Sequence, residues 1–98
     1  MVYHVYIAAC RSNTAIHIGV TSDLRAEMRL LRLGQGHPHC ARYKICKLVW
    51  SEARADLGAA RRRADQLKRW RRAWKDALIA EHNQGWRDLA ATLQQDRE

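Results

Sequence analysis

The chain lacks most of the features that would fix its class at a glance. No apolar run reaches the roughly 18 residues that a membrane-spanning helix requires. No charged and then apolar amino terminus leads to a small-residue cleavage site, so neither a span nor a signal peptide is indicated and the expected compartment is the cytoplasm. Cysteine is sparse and odd in number, Cys10, Cys40 and Cys46, which argues against a disulfide framework and for reduced thiols. Proline occurs once, at Pro38. Acidic residues are few, 10 against 18 Lys and Arg, and the resulting net charge of +8 favours a polyanionic partner. Nucleic acid is the first candidate, with an acidic lipid or protein surface as the alternative. At 98 residues the chain is expected to form one domain over 1–93 with a polar tail over 94–98.

What is present begins with Val2–Ala8 and Ala15–Val20, short β-branched and aromatic runs joined by Arg11-Ser12-Asn13-Thr14 and followed at once by a helix start. This is the pattern of a β-hairpin feeding a helix. Thr21 or Ser22 is the expected cap, and the helix is predicted to run from Ser22 to about Leu33 and to stop at Gly34. Its apolar stripe is Leu24, Met28 and Leu31, with Glu27 at the stripe's edge facing the sheet and Arg25, Arg29 and Arg32 turned to water. Gly34–Cys40 reads as a loop, and Ile45–Glu52 as a third strand. From Ala53, the positions Ala53, Leu57, Ala60, Ala64 and Leu67 make a narrow helical stripe whose phase breaks near Trp70. A separate helix is expected from about Arg71 to His82. Trp86, Leu89 and Leu93 are placed in a last helical turn or two.

Several groups of residues could carry chemistry. Arg61, Arg62, Arg63, Lys68, Arg69, Arg71, Arg72 and Lys75, interleaved with Trp70 and Trp74, could follow a phosphate backbone while an exposed indole stacks on a base. The plainer reading is a solvated helix face with its tryptophans in the core. His37, His39, Cys40 and Cys46 offer zinc-type ligands within ten positions, but at a spacing that matches no standard pattern, so an ordinary polar loop is the expectation. His4 and Tyr6 share one face of the first strand, and His17 can lie across the hairpin from them.

His4-Val5-Tyr6 and His17-Ile18-Gly19, followed by Val20–Leu24, resemble the two signature triads of the GIY-YIG endonuclease superfamily. The likeness is to its small stand-alone bacterial members, usually called predicted endonucleases. Lys47–Glu52, Gln66–Lys75 and Asn83–Leu89 are similar to that subgroup's later motifs, in the same order. The resemblance implies an α+β GIY-YIG fold, a three-stranded antiparallel sheet flanked by three or more helices. It also implies cleavage of phosphodiesters with one divalent metal held by a glutamate, a helix arginine that offsets developing charge, and signature tyrosines that activate water.

Carried over residue by residue, the resemblance keeps the first tyrosine as Tyr6. It puts His17 at the second, Glu27 at the arginine, Leu31 at a helix histidine and Ala64 at the metal-binding glutamate. Glu27 opposes an anion, Ala64 removes a ligand, and Asp65, about 100° round the helix, does not replace it. The expectation is therefore a nucleic-acid-binding module, DNA first, that has lost metal-dependent cleavage and needs no cofactor. One alternative is a nuclease rewired around Tyr6, His17 and Glu27, with Mg or Mn, in which Glu27 pairs with His17 and raises its pKa. Another is a protein- or ligand-binding domain that uses the hairpin face. A homodimer is compatible with the apolar helices.

Overall fold

The computed structural model describes residues 1–91, so Leu93 and the tail over 94–98 lie outside the described residues. The elements run β1 (Tyr3–Ala9), β2 (Ile16–Thr21), α1 (Leu24–Arg32), α2 (Pro38–Tyr43), β3 (Lys47–Arg54), α3 (Leu57–Arg69) and α4 (Arg72–His82). The strands form one antiparallel sheet of order β2-β1-β3. This is the α+β arrangement expected from the sequence.

Residues 5 to 9 of the central strand are all buried because both faces of the sheet are covered. Val5, Ile7, Ile18 and Trp50 face α3 and α4, where Ala60, Ala64, Leu67 and Ile79 complete a core. Tyr6, Ala8 and Leu48 face the other way and pack on Leu24, Met28 and Leu31 of α1 and on Cys40 of α2. Alanines at 60 and 64 leave α3 no bulk on its inner side, so the helix can lie close on the strands. Opposite the junction of Ile7 and Ala8, β3 carries an extra residue, since Ile7 pairs with Trp50 but Ala8 with Leu48. That bulge turns Val49 into the same core as Trp50.

The α1 stripe falls where periodicity places it, but the cap is Asp23, whose side chain accepts from the Ala26 amide at 3.1 Å. Thr21 instead receives the Asp23 amide at 3.1 Å, forming a turn ahead of the helix. The predicted loop contains α2, with Pro38 at the first helical position, where a missing N–H costs nothing. Ala53 belongs to β3 rather than to the helix, and α3 starts after Asp56, which caps Ala59 at 2.8 Å. The break at Trp70 is present: Trp70 and Arg71 are both extended, and α4 follows.

Trp86 is not helical. It takes a positive φ of 53° in an irregular segment that runs along the outer edge of β3. Leu89 donates to the Leu48 carbonyl at 2.7 Å and Asp88 accepts from the Leu48 amide at 3.1 Å, so the segment covers a strand edge that would otherwise be unpaired.

Candidate functional site

The hairpin register sets Tyr6 opposite Gly19 and Ala8 opposite His17. Tyr6 is fully buried, and its ring lies over Gly19 so closely that a Cβ there would sit 2.6 Å from the hydroxyl oxygen. The hydroxyl reaches past the edge strand and donates to Glu27 Oε2 at 2.5 Å. Glu27 thus faces the sheet, as its place beside the stripe requires. Burial first, and then the hydrogen bond to the carboxylate, push the Tyr6 pKa well above the usual phenol range. Tyr6 is a phenol donor, not a base.

Glu27 Oε2 also lies 3.3 Å from His37 Nε2. His37 in turn stacks at a tilt against His17, ring centroids 4.7 Å apart, while His17 lies 5.7 Å from the Tyr6 ring and 6.2 Å from that of His39. The partners of Glu27 are therefore Tyr6 and His37, not His17 as in the alternative of a rewired site. The rise in the His17 pKa that such a pair would bring is absent as well. Burial, reinforced by the neighbouring His37 and His39, pulls it down to about 4, so the ring is neutral at physiological pH. Its Nε2 is buried and has no hydrogen-bond partner among the described residues.

These groups open on a cleft of about 550 Å³ at the β2 edge of the sheet. His17 and Gly19 of β2, Glu27 and His37 line it from one side. Arg61, Ala64, Asp65 and Lys68 of α3 line it from the other. Residues from α1 and α3, which cover opposite faces of the sheet, both line it across the edge strand β2. Asp65 also lines the cleft, from the exposed side of α3, while Ala64 lies on the buried side.

A divalent metal implied by the resemblance does not fit this residue set. Ala64 brings only a methyl group, and among the described residues no group of three or more His, Cys, Asp or Glu side chains is placed to hold an ion. The run His37–Cys40 does not converge: Cys40 is buried in the α1 core with its pKa pushed up to about 11 by burial and by Glu27, whereas His39 turns to the Ile16 carbonyl at 3.4 Å. His4 is half-buried at the β1 end of the same face.

The basic residues divide into distinct uses. Arg63 pairs with Glu52 at 3.3 Å, donates to Gln66 at 2.6 Å and lies over Trp70 at 5.5 Å. Arg72 pairs with Asp76 at 2.8 Å and ties down the hairpin turn through the Asn13 and Thr14 carbonyls. Lys75 reaches the Lys68 carbonyl at 3.4 Å. The exposed side of α3 presents Arg61, Arg62, Lys68 and Arg69, and Arg71 follows at the break. Sequence reading missed His37 as a partner of Glu27, because the signal was a loop histidine with no periodic relation to the helix.

The sheet and its two helical layers define a three-stranded antiparallel α+β fold. The chain is similar in fold to the solution NMR structure of a UPF0213 protein from Bacillus halodurans, with a TM-score of 0.53 and 22% identity over 88% of this chain and 90% of that one. No protein-family profile matches the sequence, and no curated protein does.

Proposed function

We propose that the chain is a GIY-YIG-like nucleic-acid-binding module that has lost metal-dependent phosphodiester cleavage. The observation that carries this reading is the composition of the cleft: Arg61 and Lys68 stand at its rim, while Glu27 is held by Tyr6 and His37, and Ala64 offers no ligand. The rim cations attract a phosphate backbone. The carboxylate in the position of the family's arginine repels a phosphate from the reacting centre, and with no ligand at residue 64 a metal has no carboxylate there to hold it against the developing charge. DNA is the first candidate partner.

Affinity for DNA should fall linearly in log–log form as salt rises, and plasmid and single-stranded substrates should remain uncut with Mg²⁺ or Mn²⁺. The double variant Glu27→Arg with Ala64→Glu should gain metal-dependent cleavage. Cleavage by the unaltered protein would overturn the loss of activity, and salt-independent or absent binding would overturn the nucleic-acid reading.

A second reading is favoured by the Tyr6–Glu27–His37 chain. A carboxylate that orients an imidazole beside cations is an arrangement used for proton transfer. In that reading His37→Ala abolishes a cleavage activity that the unaltered protein possesses.

A further inference from the structure

The cleft does not end at Lys68. Asp65 also lines a second groove, of about 430 Å³, whose other walls are Arg62, Gln66, Arg69 and Trp70. The two hollows therefore meet over the exposed side of α3. Cations stand on both sides of the join, Arg61 and Lys68 in one and Arg62 and Arg69 in the other. Beyond Trp70 the chain turns, and Trp74 is left 54% exposed, among the largest apolar surfaces the molecule shows to water.

Trp74 is exposed but has ring partners. It makes a T-shaped contact with Trp70, centroids 6.2 Å apart at 82°, and the Arg71 guanidinium lies over its ring, 5.5 Å from the centre. An indole that packs on a second ring and carries a cation over its face has lost part of its freedom before a ligand arrives, and the half of its surface left to water can take a base at a reduced entropic cost. Trp70 cannot play this part, because it is half-buried against the α3 core.

We propose that this face takes single-stranded nucleic acid, with phosphates along Arg61, Lys68, Arg62 and Arg69 and an unpaired base stacked on Trp74. The inference rests on the proposed nucleic-acid function and adds to it the kind of strand. Charge complementarity selects a polyanion, and the flat exposed ring selects one whose π-faces are free. A duplex keeps its base faces inside the stack and offers only phosphates and groove edges. An acidic peptide would satisfy the cations but would gain little from the indole.

The experiment compares fluorescence anisotropy of a labelled oligothymidylate of about 12 nucleotides, a span within the site sizes of single-strand binders, with that of a duplex of equal length. Unaltered protein, Trp74→Ala and Trp74→Phe are measured at one salt concentration. The single strand should bind more tightly than the duplex, Trp74→Ala should lose about tenfold on the single strand alone, and Trp74→Phe should retain part of the difference. Equal affinity of Trp74→Ala and the unaltered protein for the single strand, or an equal loss on both ligands, overturns the stacking role while leaving nucleic-acid binding in place. Absence of binding to either ligand overturns the underlying function, and the strand preference with it. Unfolding midpoints of the variants, expected to match because the ring is largely exposed, separate lost affinity from lost fold.

Discussion

Glycine at position 19 is explained by one aromatic ring. A Cβ there would stand 2.6 to 2.9 Å from three atoms of Tyr6, which is buried under α1 and anchored at its tip by Glu27. The ring cannot swing aside without breaking that hydrogen bond. Gly19→Ala should therefore destabilise the protein by about 2 kcal/mol, the cost of overpacking a filled core, read as a shift in the urea unfolding midpoint. In a Tyr6→Ala background the same change should cost much less. Equal costs in the two backgrounds would show that the ring is not what excludes a side chain.

Among the elements, the irregular segment after α4 is tied to β3 by hydrogen bonds from several of its residues. Asn83, the one buried polar residue among the described residues, donates to the Val49 carbonyl at the β3 bulge at 3.1 Å and to the Arg87 carbonyl at 2.8 Å, and accepts from the Arg87 amide at 3.0 Å. Strand bulge and closing segment are thus joined through one side chain. Asn83→Ala takes the partner from the buried Val49 carbonyl and from both backbone groups of Arg87 and should cost about 2 to 3 kcal/mol. The exposed neighbour Gln84→Ala should change stability by less than about 0.5 kcal/mol. Chemical denaturation of the pair decides whether the segment is a clamp or a passive tail. The short helix α2 has a different standing: it caps no core of its own, but its first turn and the residue before it bring His37 to Glu27.

For the molecule as a whole, the buried imidazole couples stability to pH. The folded His17 takes a proton only near pH 4, whereas the unfolded chain takes it near 6.5. Between those values the unfolded state binds more protons, so this contribution is present in full above about pH 6.5 and is lost as the pH falls towards 4. Unfolding midpoints should drop over that window, and His17→Gln should flatten the drop. A variant whose slope matches the unaltered protein would assign the effect elsewhere.

The strands, the α1 stripe and the break at Trp70 were legible in the chain because each rests on local periodicity. So was the placement of Glu27 towards the sheet. The helix at Pro38 was hidden by its six-residue length, and Trp86 was misread because apolar spacing carries no information about a positive φ. The pairing of Glu27 with His37, and the second cleft wall at Asp65, depend on how α2 and α3 dock, which no spacing records.

The cleft gathers His17, Glu27, His37, Arg61 and Lys68 from one continuous run of chain, yet that run omits β1, the strand between β2 and β3 that carries Tyr6. A fragment containing every lining residue would have no sheet to mount them on. The cleft is therefore indivisible: it cannot be excised, transplanted or reconstituted from its own residues, and it arises only when the first strand is inserted between the other two.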